Sequence, residues 1–361
     1  MSPPSNSIRK AVLLWSVAVA LLLLAFEGLS ALVYVVNPLS IFGWQYYDDA
    51  FRDVKLARGA TGWDIYDKSP RPSSGQHGRP CVTTFGDSFT HGDEVRHDEA
   101  WSQLASERLG CAVVNHGVGG YGTDQALVRF NEVAPTTPVV LLGVYQEMLR
   151  RNLSASWLFY GMQREATIKP FFTLASGKLQ QVEMPSTRSV EAIKAYHSAD
   201  RYYKPYHMGA PYSLSLLRAV YYRRSTRALS KQRMLPPESV YEDAEALELQ
   251  NALTDRFRAS LAQHGQHFAL IFFPTADQAF AGHYPYERLV EAHAAHHPED
   301  CLIDPGPALH EASMREGRPL AAPVGHYDAI GNKVIAEVVS ARLQACGIDL
   351  TPHADDNTSA Q

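Results

Sequence analysis

From residue 82 onward, short apolar runs alternate with amphipathic stretches, and few architectures accept that rhythm. Val82 to Phe85, Ala112 to Asn115, Val139 to Leu142, "HFALIFF" ending at Phe273 and "CLID" ending at Asp304 read as strands. Between the first two, Trp101, Leu104, Ala105 and Leu109 share one helical face, with Asp98 as the cap and Gly110 as the stop. Thr123 opens a second helix with Ala126, Leu127, Phe130 and Val133 facing inward. Further helices are expected from Ser239 to His264, Pro285 to His296 and Ala329 to Cys346. Continuous hydrophobicity within a strand marks burial on both faces, as in parallel sheets. Strands alternating with helices therefore predict an α/β chain with a parallel sheet covered on both sides.

The rhythm breaks from Asn152 to about Pro237, which reads as an insertion. Within it, "KPFFTLASGKLQQVEMP" predicts a hairpin turning at Ser176-Gly177, and a Tyr-rich stretch from Ala195 to Leu235 predicts helix. The expected organisation is a short N-terminus (1–10), an apolar anchor (11–36), a Gly/Pro/Ser-rich connector (37–78), one α/β domain (79–347, insertion 152–237) and a disordered polar tail (348–361).

Residues 11–36, "AVLLWSVAVALLLLAFEGLSALVYVV", are apolar except for Glu27. At about 1.5 Å per residue the run exceeds the roughly 30 Å of a bilayer's hydrocarbon. It is also longer than the core of a cleaved signal peptide. Arg9 and Lys10 precede it, whereas Asp48 and Asp49 follow. The positive-inside rule then predicts a single-pass protein of the inner (cytoplasmic) membrane, with the domain on the extracytoplasmic, periplasmic side. Net charge is −5, with no long basic tract, which disfavours nucleic acid as a partner. Of the four cysteines, Cys81 and Cys111 each begin a strand. They read either as neighbours able to pair or as buried free thiols, and no spacing suggests zinc.

In such sheets, ligands sit at the carboxyl ends of the strands. Four polar or glycine-rich segments fall there: Gly86-Asp87-Ser88, Gly117 to Gly122, Gly143 to Glu147, and the loop around His326. Ser88 stands where a strand turns into a helix, so it reads equally as a helix cap and as a nucleophile awaiting a base. The loop "HGVGGYG" lets backbone N–H groups approach a ligand, but its spacing is not that of a dinucleotide fingerprint. His293, His296 and His297 read as a polar helix end, not as a metal site.

Together, "FGDSFTHGDEV", "NHGVGGYGTDQAL", "VVLLGVYQEMLRRN" and "GHYDAIGNKVIAE" resemble the four blocks of the SGNH/GDSL hydrolase family, in order, over about residues 82–343. The resemblance implies a three-layer α/β/α flavodoxin-like fold and an esterase needing no cofactor. It implies Ser88 as nucleophile, His326 as base, and Ser88 and Gly120 N–H groups as the oxyanion hole. Two family positions differ. The third block usually supplies an Asn amide; here Met148 cannot donate, and Gln146 is the nearest amide. The Asp usually found two or three residues before the histidine is replaced by Val324 and Pro323. Asp304, at a strand end, is the candidate acid, with a Ser–His dyad as the alternative. The implied substrate is an acylated small molecule or glycan, as in deacylation of a cell-envelope glycan. The alternatives are O-acyl transfer to a surface polysaccharide and a decayed glycan-binding protein.

Overall fold

The computed structural model describes residues 6–36, 78–155, 168–186, 189–201, 209–218, 220–221, 237–262 and 264–350. The connector up to residue 77, most of the tail and much of the Tyr-rich stretch lie outside the described residues. The described strands are β1 (Pro80–Phe85), β2 (Ala112–Asn115), β3 (Val139–Tyr145), β4 (Phe171–Ala175), β5 (Lys178–Val182), β6 (His267–Phe273) and β7 (Cys301–Ile303).

Five of them form one parallel sheet in the order β2-β1-β3-β6-β7, while β4 and β5 make the separate hairpin of the insertion. Without that hairpin the order is 2-1-3-4-5, the flavodoxin-like doubly wound arrangement. Strand order reverses between β1 and β3, so a crevice opens at their carboxyl ends. The hairpin turns as expected, with Ser176 and Gly177 both at positive φ (51° and 72°).

Side chains alternate across the sheet and build two cores. Cys81, Val113, Leu141, Ile271 and Ile303 pack on one side with the helices Trp101–Leu109, Gly306–Glu316 and Ala329–Ala345. Phe85, Val140, Leu142, Leu270 and Phe272 pack on the other with Thr123–Val133, Ala244–Ala262 and Glu287–His296. Neighbouring residues of β3 thus serve opposite cores, the period of two that a pleated strand imposes.

Several local expectations are corrected. Asp98 does not cap a helix: it pairs with Arg96, and a 3₁₀ turn (His97–Glu99) precedes Trp101–Leu109. The helix expected from Ser239 is a 3₁₀ turn (Pro237–Glu242) followed by Ala244–Ala262. Helices Ala276–Ala281 and Gly306–Glu316 were not anticipated. The second begins at Gly306-Pro307, which resembles a turn, yet proline fits the first helical turn because its missing N–H has no partner there anyway. Strand β3 runs three residues further than its apolar core. Gly143 allows this, since a Cβ there would come within 2.1 Å of Thr90 Oγ1.

All four cysteines are paired, Cys81 with Cys111 and Cys301 with Cys346, so the free-thiol reading is overturned. The loops they close span 30 and 45 residues. Constraining the unfolded chain over such loops stabilises a fold by about 3–4 kcal/mol each in the chain-entropy account. The second bridge fastens the end of the terminal helix to β7. The N-terminal helix, Asn6–Val36, presents exposed apolar side chains along nearly all its length, and Lys10–Val36 is long and apolar enough to cross a membrane.

Candidate active site

β1 delivers Gly86-Asp87-Ser88 to the crevice. Asp87 caps the short helix Ser88–His91, its Oδ1 accepting from Phe89 N at 3.0 Å. The cap is therefore Asp87, which frees the Ser88 hydroxyl. Ser88 N heads the helix, where no intrahelical acceptor exists for it. Asp87 Oδ2 accepts from Arg151 Nη1 at 3.0 Å, and the same nitrogen donates to Tyr121 O at 2.9 Å. Burial pushes the Asp87 carboxyl up, and the Arg151 guanidinium opposes that. Gly86 has no room for a side chain, since a Cβ would meet Thr90 Oγ1 at 2.1 Å and Gly143 O at 2.9 Å.

The glycine loop after β2 lies directly over this turn. Asn115 Nδ2 donates to Thr90 O (2.8 Å) and Ser102 Oγ (3.0 Å), while its Oδ1 accepts from Gly117 N (2.9 Å). Val118 N donates to Gly86 O at 3.1 Å. A Cβ on Gly117 would sit 2.5 Å from His91 N. Gly120 is buried with φ +81°, a left-handed conformation that favours glycine. Its neighbour Tyr121 is held through Arg151 to Asp87, which links this loop to the residue before Ser88.

β3 brings up Tyr145 and Gln146. Gln146 Oε1 accepts from Gln278 Nε2 at 2.9 Å, which orients the amide and leaves Nε2 buried beside the Tyr145 phenol without a well-formed hydrogen bond. A buried unpaired amide donor costs about 1–3 kcal/mol and calls for an explanation. The Tyr145 phenol beside it is pushed up to about 12, chiefly by burial and next by the Glu147 charge. Tyr145 stacks on Phe89, ring centroids 4.1 Å apart. Met148 is fully buried, and Glu147 pairs with Arg150.

His326 stands in a tight turn closed by Ala322 N to His326 O (2.8 Å) and by Gly325 N to Ala322 O (3.0 Å). Its ring lies 5.1 Å from that of Phe89, the residue after Ser88. Asp304 does not orient it. The Asp304 carboxylate accepts instead from Tyr286 Oη (2.7 Å) and Gly306 N (2.8 Å), so it closes its own loop. The partner of His326 Nδ1 is Glu94, with Oε2 at 2.7 Å. Glu94 also accepts from Val324 N (2.7 Å) and His326 N (3.0 Å). Burial works to raise the Glu94 carboxyl, but these bonds outweigh it and hold the group below the usual carboxylate range. Glu94 sits at φ +68°, a position where a side chain other than Gly, Asn or Asp is uncommon. Such strain costs about 1 kcal/mol or more and recurs where function demands it.

Ser88, Gln146 and His326 line one cavity of about 620 Å³, together with Phe89, Tyr145, Glu147, Arg151, Thr275, Asp277, Gln278 and His283. Gly120 is buried and is not among the lining residues. His326, with Nδ1 tied to a carboxylate, lines the same cavity as Ser88, a constellation suited to nucleophilic attack on a carbonyl. Among the described residues no cluster of His, Cys, Asp and Glu could hold a metal ion. His293 instead pairs with Asp300, and His297 with Asp255.

No protein-family model matches the chain, and no curated protein does. Solved structures do. One is a member of the lipolytic protein G-D-S-L family from Veillonella parvula, 12% identical with a TM-score of 0.37, over 74% of this chain and 97% of that one. Another is LAE5, an alpha/beta hydrolase enzyme from the metagenome of Lake Arreo, 15% identical with a TM-score of 0.40, over 77% and 99%. A third is a two-domain esterase active on acetylated mannans, 8% identical with a TM-score of 0.37, over 76% and 51%. The likeness is one of chain path.

Glu94, Arg151 and Gln278 were missed from sequence. Glu94 left a trace, because "HGDEV" places two carboxylates just after the serine turn. Asp93 is taken by His91 Nδ1 at 2.5 Å, which leaves Glu94 for His326.

Proposed function

We propose that the protein is a serine ester hydrolase of the SGNH/GDSL type. The observation that carries this is the Glu94–His326 pair opening onto the cavity that holds Ser88 and the unpaired Gln146 amide. His326 Nε2 takes the proton of Ser88 Oγ as that oxygen bonds to the ester carbonyl carbon. The developing oxyanion is held by the N–H groups of Ser88 and Gly120 and by Gln146 Nε2. Gln146 thus fills the place of the family's Asn, and its lack of a well-formed hydrogen bond in the free enzyme has a purpose. His326 then gives the proton to the leaving alkoxide, and the alcohol departs. Water, deprotonated by the same ring, resolves the acyl-serine to a carboxylic acid. Glu94 takes the part reserved for the missing Asp, stabilising the imidazolium and fixing the tautomer.

The enzyme acts outside the cytoplasmic membrane, anchored by the N-terminal helix. Arg9 and Lys10 ahead of the span support that orientation, and two disulfides suit an oxidising compartment. The substrate is an acylated glycan of the cell envelope. The cavity lining offers Thr275, Asp277, Glu147 and His283, donors and acceptors suited to a sugar's hydroxyls.

Turnover of a short-chain aryl ester by Ser88→Ala tests the chemistry. We expect loss to background with an unchanged circular dichroism spectrum; retention of the parent rate would refute the serine mechanism. Product analysis of an acetylated glycan, with and without a sugar acceptor, then distinguishes release of free acid from transfer.

A further inference from the structure

Glu27 is a carboxylate inside an otherwise apolar span, and the structure shows what it holds. Its two oxygens accept from Tyr212 N (2.5 Å) and Ser213 N (2.8 Å). Those are the first N–H groups of a helix in the insertion, formed by residues 212–218 and continuing at 220–221. A carboxylate at a helix N-terminus satisfies donors that the helix itself cannot. Tyr34 meets Tyr212 as well, with ring centroids 5.0 Å apart. Cover on the apolar helix is one-sided and local. Residues 11–26 are exposed, whereas Glu27, Ala31 and Tyr34 are half-buried and Ser30 is fully buried. Positions 27, 30, 31 and 34 make a single helical stripe.

This contact fixes a depth. Lys10–Val36 is 27 residues, about 40 Å of helix against roughly 30 Å of hydrocarbon. With the charged Lys10 at the inner hydrocarbon boundary, Glu27 lies about 26 Å further on, within about 5 Å of the outer hydrocarbon boundary. The N-terminus of the insertion helix must lie at that level too. Its outward residues suit that medium: Leu214, Leu217 and Tyr221, spaced i, i+3 and i+7, are 43%, 57% and 67% exposed. Val220 is exposed beside them, and so is Arg218, a cation able to meet lipid phosphate. Helices of this kind rest with the apolar face about 5–10 Å into the headgroup boundary.

We propose that the insertion helix, residues 212–218 and 220–221, is a second membrane contact. It lies in the outer headgroup layer of a phospholipid bilayer and is clamped to the spanning helix by Glu27. The inference rests on the reading of the N-terminal helix as a membrane anchor. Burying its apolar residues in lipid leaves the α/β domain with a defined tilt at the surface, where a single tether would let it swing.

Single cysteines introduced into the full chain test this, because the four native cysteines are paired and unreactive to maleimide. The protein is placed in nanodiscs of phosphatidylethanolamine and phosphatidylglycerol. Labelling by a charged maleimide is then timed for Leu14→Cys in the span, Leu217→Cys, and Glu107→Cys on an exposed helix of the domain. We expect Leu217→Cys to label at least about 10-fold more slowly than Glu107→Cys, and its protection to fall when Glu27→Ala is added. Leu14→Cys labelling as fast as Glu107→Cys would remove the anchor reading itself. With Leu14→Cys protected, a Leu217→Cys rate equal to that of Glu107→Cys would overturn the interfacial helix alone. Protection of Leu217→Cys unchanged by Glu27→Ala would overturn the clamp.

Discussion

Replacing Glu94 by Gln keeps the side-chain shape and removes the charge. Three N–H donors converge on the two oxygens, Val324 N on Oε1 and His326 N and Nδ1 on Oε2. An amide supplies one oxygen and one NH₂. With its nitrogen in the Oε2 place, the amide opposes the His326 backbone N–H, donates to Nδ1 and drives the ring proton to Nε2, the nitrogen that must accept from Ser88. With its nitrogen in the Oε1 place, it opposes the Val324 N–H, leaving a donor unpaired at a cost of about 1–3 kcal/mol. Either way the imidazolium loses its counter-charge. Triads that lose the acid's charge or geometry slow by about 10⁴-fold. Glu94 is partly solvated here, so we expect kcat for an aryl ester to fall by about 10²–10⁴-fold with KM within about threefold. Glu94→Asp, which retains the charge and tolerates positive φ, should recover part of the loss. The control is Asp304→Asn. It weakens the Tyr286 contact and should lower stability while leaving kcat within about twofold. If Glu94→Gln kept full kcat, or if Asp304→Asn shared its defect, the assignment of the acid would be wrong.

Two further outcomes concern buried polar groups. Gln146→Ala removes the unpaired donor and should lower kcat by about 10–10³-fold in ester hydrolysis, with circular dichroism unchanged; an undiminished kcat would return the oxyanion to backbone donors alone. His116 is depressed to about 4, by burial first and Arg129 second, and it stacks on Phe85. A depressed histidine stays neutral in the fold while the unfolded chain takes up a proton. Its contribution is therefore complete above about pH 6.5 and drains away towards pH 4, by about 3 kcal/mol in all. Urea titrations at pH 7.5 and 4.5 should show His116→Phe losing about 2–3 kcal/mol less than the parent between the two, and equal losses would refute this.

The sheet was legible because continuous apolar strands and amphipathic helices leave a mark at each residue. Hydrophobic patterning predicted every strand of the parallel sheet, with ends off by a few residues where Gly143 let β3 run on and where Pro80 extended β1. Non-local pairing left far less trace. Asp304 lay at a strand end, the expected place for an acid, yet its side chain turned to Tyr286 and Gly306. Glu94 is 232 positions from His326 and comes from the opposite end of the domain's sequence. Nothing in periodicity brings those two together; only the closing of β1's loop against the turn before the terminal helix does. The same holds for Glu27 and Tyr212, and for Gln146 and Gln278, whose contact occupies the oxygen of the Gln146 amide.

The central claim is that Ser88 is a nucleophile activated by His326, and a covalent trap tests it most directly. The full-length protein is incubated with a fluorophosphonate and digested, and the modified peptide is mapped. The account predicts a single adduct on Ser88 Oγ, strongly slowed in His326→Ala and slowed in Glu94→Gln. No adduct on a folded protein, or an adduct on a different serine with Ser88 untouched, would contradict it.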